Sequence, residues 1–130
     1  MMPTPPTHKD FLLIDADADG RVLLARTLLR VFPRAAIVEC QDLETAVNLL
    51  VTHEFDAVVS HRAIGADPEK LVRAIREQKR NVPLLAVAGN DRRKQLVLAG
   101  ATMFLSSNEW IRVGTVVADM LAPQPAIATD

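Results

Sequence analysis

Phe11-Leu12-Leu13-Ile14-Asp15 is a run of four apolar residues ending on a carboxylate, and Ala16-Asp17-Ala18-Asp19-Gly20 follows it directly. A short continuous apolar run bounded by small and polar residues marks a strand covered on both faces, not a half-exposed alternating one. Past Gly20 the period changes. Leu24, Leu28, Val31 and Phe32 recur at helical spacing, Arg26 and Arg30 fall opposite them, and Pro33 stops the segment. Asp19 is expected to cap this helix. Strand, turn and amphipathic helix make one βα unit.

Four more apolar runs repeat the theme: Ala35 to Glu39, Asp56 to Ser60, Leu84 to Ala88 and Thr102 to Leu105. Helical patterns fill the gaps between them. Asp42 can cap a second helix carrying Leu43, Ala46, Val47, Leu49 and Leu50, and Asp67-Pro68 supplies a cap and first-turn proline for a third that buries Leu71 and Ile75. A fourth is expected from Asn90 to Ala99, stopped by Gly100, and a fifth from Asn108 to Leu121. Buried strands alternating with helices imply a doubly wound α/β domain with a parallel sheet and helices on both faces. In such sheets ligands gather outside the carboxyl ends of the strands, here Asp15 to Asp17, Ser60 to Arg62, Ala88 to Asn90 and Ser106 to Asn108.

At 130 residues, 49% of them hydrophobic, the chain has the size and apolar content of one domain. A net charge of -1 removes the bulk attraction that a dedicated nucleic-acid binder needs. Neither a secretory signal nor a membrane span is visible, so no membrane association is expected. The lone Cys40 cannot form an intramolecular disulfide, which fits a reducing, cytoplasmic setting. Proline-rich and alanine-rich ends predict a disordered leader over residues 1–9 and a flexible tail over 122–130, with the folded domain between 10 and 121.

Phe11-Leu12-Leu13-Ile14-Asp15, Arg21, Phe55-Asp56-Ala57-Val58-Val59-Ser60, Pro83-Leu84-Leu85-Ala86-Val87 and Ala99-Gly100-Ala101, taken in order, resemble the receiver domain of bacterial two-component response regulators. The resemblance spans nearly all of the folded part. It implies a flavodoxin-like (βα)5 fold, a five-stranded parallel sheet of order 2-1-3-4-5 with two helices on one face and three on the other. It also implies a phosphorylation site: an acidic pair after the first strand, an aspartate after the third, a Thr or Ser after the fourth and a Lys after the fifth. Carboxylates hold Mg²⁺ there, and the hydroxyl and ammonium receive the phosphoryl charge.

Carried over position by position, the acidic pair becomes Asp15 and Ala16, the phosphate-accepting aspartate becomes His61, the hydroxyl becomes Ala88 and the Lys becomes Ser107. Only Asp15 survives. The segment from Arg62 to Asp67 also lacks the family's usual Met-Pro turn. These losses predict a degenerate receiver, a pseudo-receiver that takes no aspartyl phosphate, binds no metal or other cofactor, has no catalytic residue and is not an enzyme. Its expected role is phosphorylation-independent protein–protein interaction, with a small-molecule or ion sensor using the vacated pocket as the alternative and residual phosphotransfer as a third.

Other chemistries find less support. Asp15-Ala16-Asp17-Ala18-Asp19-Gly20 opens like a calcium loop, but the closing Glu would fall on Arg26 and the run follows a strand. His61 is open to phosphorylation, to a pH-sensitive role, or to a structural one in which it pairs with Asp15. Ser60, Ser106 and Ser107 lie near a histidine without a nucleophile elbow or an orienting third member.

Two surfaces stand out for partners. Arg92-Arg93-Lys94 gathers cations near a helix start, where the dipole disfavours them. In the fifth helix Trp110, Val113, Val117, Met120 and Leu121 form one face, and Ile111 and Val116 widen the apolar arc beyond what one sheet face requires. In receivers the fourth helix, fifth strand and fifth helix commonly bind partners. The resemblance therefore implies a surface of Arg92, Arg93, Trp110, Ile111 and Val116 for a histidine kinase, another regulator or an output protein, or for a homodimer.

Overall fold

The computed structural model describes residues 8–123. The leader and tail expected at the two ends lie outside them apart from residues 8, 9, 122 and 123. Five strands, β1 (Asp10–Ile14), β2 (Ala36–Cys40), β3 (Ala57–Ser60), β4 (Leu84–Ala88) and β5 (Met103–Ser106), pair in parallel in the order β2-β1-β3-β4-β5. Helices α1 (Ala18–Val31), α2 (Leu43–Thr52), α3 (Pro68–Gln78), α4 (Arg93–Ala99) and α5 (Val113–Leu121) alternate with them.

Successive side chains of a strand point to opposite faces, so the run that opens the sequence is divided between two cores. Phe11 and Leu13 pack with Leu24 and Leu28 of α1 and Val113 and Val117 of α5. Leu12 and Ile14 pack with Leu50 of α2, Leu71 and Ile75 of α3, and Leu96 of α4. All four strand residues are fully buried, each worth about 1.5–3 kcal/mol of apolar transfer. That two-sided burial is why the strand is apolar throughout.

The helix starts follow their caps. Asp42 accepts from the Thr45 N–H at 2.9 Å and Asp67 from the Lys70 N–H at 2.8 Å, as their positions predict. The first helix differs from expectation: Asp17, not Asp19, is its cap, accepting from the Gly20 N–H at 2.8 Å. The helix therefore begins at Ala18, and Asp19 falls in the first turn, where its charge faces the positive end of the dipole. The fourth and fifth helices are also shorter than expected, each preceded by a 3₁₀ segment, Asn90–Arg92 and Ser107–Arg112. No side chain caps either start, and tighter i→i+3 bonding is how uncapped N–H groups are commonly satisfied. Gly100, at φ 124°, ends α4.

Val116 corrects a second expectation. It is 5% exposed, part of the core shared with α1, and so does not widen an exposed arc. α5 packs on α1 as well as on the sheet, which accounts for its wide apolar arc. At Gly114 the two helices come so close that a Cβ would overlap the Thr27 carbonyl group.

Candidate functional site

The parallel register sets Ile14 beside Ser60 and Ala88 beside Ser106. One residue further along each strand, Asp15 and His61 leave the carboxyl edge as neighbours. Backbone bonds prolong the ladder there: the His61 N–H donates to the Ile14 carbonyl at 2.9 Å, Ala16 N–H to Arg62 at 2.8 Å, and Asp15 N–H to Cys40 at 3.1 Å.

Asp15 is fully buried. Its Oδ1 accepts from the Asp17 N–H at 3.0 Å, and its Oδ2 lies 3.0 Å from His61 Nδ1. An ionised carboxylate can only accept, so Nδ1 carries the proton. Arg62 adds its guanidinium, with Nε 3.4 Å from Oδ1. Burial pushes the Asp15 carboxyl up, but the His61 hydrogen bond, the Asp17 N–H and the nearby His61 and Arg62 charges outweigh it and hold the group below the ordinary 3.8. Gly20 is required beneath this cluster, since a Cβ there would sit 2.5 Å from Asp15 Oδ2. Arg21 ties the same turn down by donating to the Asp15 carbonyl at 2.7 Å.

Two cavities open at this edge, and His61, Arg62 and Ser107 line both. One, of about 200 Å³, lies toward α1 and Trp110. The other, of about 290 Å³, lies toward Ala88, Gly89 and Arg92. The structure thus brings Asp15, His61, Ala88 and Ser107 to one place, whereas Ala16 offers only its backbone. The role of Gly20 and the pairing of Arg62 with Asp15 were not foreseen from sequence, although Arg62 was among the strand-end residues. Arg62 follows His61 directly in the chain, but its reach back to Asp15 depends on a turn that the sequence does not specify.

The donor set does not fit a divalent cation. Such an ion needs several oxygen ligands, whereas the one buried carboxylate already has three internal partners and its neighbour is Ala16. Among the described residues no group of three or more His, Cys, Asp or Glu side chains is placed to hold a metal ion.

The expected interaction residues separate. Arg92 lines the second cavity and Trp110 the first, while Arg93 is exposed with its guanidinium 4.7 Å from the Phe104 ring centroid. Ile111 remains exposed at 63%, and Leu98 of α4 is exposed at 74%. No helix among the described residues is long and apolar enough to cross a membrane.

No family model and no curated protein matches the chain. Solved structures do. The receiver domain of the sensor histidine kinase PA1611 from Pseudomonas aeruginosa, which holds a magnesium ion in its active-site cleft, matches with a TM-score of 0.76 at 19% identity, over 88% of this chain and 98% of that one. The receiver domain of NtrX from Brucella abortus matches at 0.74 and 19%, over 86% and 98%. The chemotaxis response regulator CheY4 of Vibrio cholerae matches at 0.74 and 18%, over 88% and 100%. The fold is that of response regulator receiver domains.

Proposed function

We propose that this chain is a receiver-fold signalling module that takes no phosphate on an aspartate and acts by binding a protein partner. The observation that carries the reading is the internal neutralisation of Asp15 by His61 and Arg62, His61 being the residue that the resemblance aligns with a receiver's phosphate-accepting aspartate. Ala88 and Ser107 lack the hydroxyl and ammonium that would receive a phosphoryl group, so the module has no catalytic role. Its partner is a histidine kinase, another regulator or an output protein. The exposed Val97 and Leu98 of α4, Met103 of β5, and Ile111 offer the apolar contact, and a second copy of the chain could use the same surface.

The test is intact-mass measurement and thermal melting of the whole chain with acetyl phosphate and Mg²⁺. The expected result is no added phosphoryl group and no Mg²⁺-dependent stabilisation, since a bound ion would raise stability by mass action. A stoichiometric phosphoryl adduct that requires Mg²⁺ would overturn the reading.

A second reading, a small-molecule sensor at the vacated site, is favoured by the two cavities that meet at His61.

A further inference from the structure

The cavity on the α1 side has two apolar lining residues that the core does not enclose. Leu23 is 40% exposed and Trp110 half-buried, and both line it beside the core residue Leu24. Trp110 is placed there by the 3₁₀ segment Ser107–Arg112, which breaks helical geometry at Glu109 just before it. Much of the remaining lining is ionic. Asp15, Asp17 and Asp19 face one guanidinium, Arg62, and one imidazole, His61, so the lining is net negative whichever form the imidazole takes.

We propose that this cavity binds a small organic cation: a protonated amine on an apolar body. The apolar part lies against Trp110 and Leu23, where an aromatic face also attracts a cation, and the ammonium meets Asp17 and Asp19 at the rim. A bare metal ion is excluded by the occupied coordination of Asp15, and an anion by the sign of the lining. At about 200 Å³ the space falls below the roughly 300–1,000 Å³ usual for drug-sized ligands, which limits the occupant to a single ring or a short alkyl chain. This assignment rests on the sensor reading and names its ligand class.

Trp110 is the only tryptophan of the chain, so its fluorescence and indole N–H resonance report this cavity alone. The whole chain is titrated with phenethylamine, the uncharged 2-phenylethanol and the anionic phenylacetate, three probes with nearly the same body. The amine is expected to shift the Trp110 signals saturably and ahead of the other two, with affinity falling as ionic strength rises. Asp19→Asn is expected to bind the amine up to about fivefold more weakly, the most that an exposed ion pair commonly contributes. Binding of the alcohol or the acid as tight as that of the amine overturns the cation assignment and leaves the sensor reading standing. Silence of Trp110 toward all three overturns both.

Discussion

Replacing His61 by Ala tests whether Asp15 is held from within the molecule. The imidazole supplies a hydrogen bond to a fully buried carboxylate, and its side chain is 16% exposed. A hydrogen bond to a charged group is worth about 1.5–3 kcal/mol, and leaving a buried charge short of a partner costs the upper part of that range. Arg62 is also close to Asp15, but its side chain is 55% exposed, and solvent reduces such a pair to about 0–1 kcal/mol. His61→Ala should therefore cost about 2–3 kcal/mol, and Arg62→Ala less than about 1 kcal/mol.

Urea unfolding at neutral pH measures both. A double-mutant cycle of His61→Ala with Asp15→Asn should return a coupling of about 1–2 kcal/mol. The pH dependence follows from linkage. The folded carboxyl of Asp15 titrates below its ordinary 3.8, so its stabilisation is complete above that value and is lost as pH falls through the folded one. The gap between parent and His61→Ala should shrink over that acidic range. Equal costs for the two single variants, or a coupling near zero, would refute the view that His61 is the main internal partner of Asp15.

Other consequences are simpler to check. Gly114→Ala should push α5 off α1, because the new methyl meets the Thr27 carbonyl, whose carbon would lie 2.8 Å away; about 1–3 kcal/mol is expected, seen as a clear fall in calorimetric Tm. Burial, with Asp42 adding to it, raises the Cys40 thiol from 9.0 to about 11. It should carry about a hundredfold less thiolate than a free cysteine near neutral pH and resist iodoacetamide until the protein unfolds, as mass spectrometry would show. Arg76 donates to the carbonyls of Gly100, Lys79 and Val82 at 2.7, 3.1 and 2.7 Å. Arg76→Met should leave those acceptors without this donor and lower the urea midpoint, with a near-native far-UV spectrum. Leu98→Glu and Ile111→Glu, both at exposed positions, should leave stability unchanged and weaken capture of the protein partner or self-association in sedimentation. Unaltered binding would remove this surface from consideration.

The alternation of strands and helices and the two-sided parallel sheet could be read from local pattern, whereas the strand order was what the resemblance to receiver domains implied. Apolar runs of strand length, capping aspartates at Asp42 and Asp67, and Gly100 are each decided by residues within a few positions of one another. The resemblance puts His61 at the position of the phosphate-accepting aspartate, and a parallel sheet, which brings the ends of its strands to one edge, sets it beside Asp15. The role of Val116 was not legible. Helical periodicity shows that it belongs to a wide apolar arc, but only the packing of α5 on α1 decides that the arc is buried and not free.

The same division holds at the site. The sequence by itself determined which chemical groups are present at the carboxyl edge, because residue identity after each strand is a local fact. Only the tertiary structure decided how those groups pair. Asp15, His61 and Arg62 meet through the β1–β3 register and the turn after β3, across 46 positions of chain between the carboxylate and the imidazole. Whether a buried carboxylate awaits a metal ion or is already neutralised depends on distances of about 3 Å, and such distances are fixed when the elements pack.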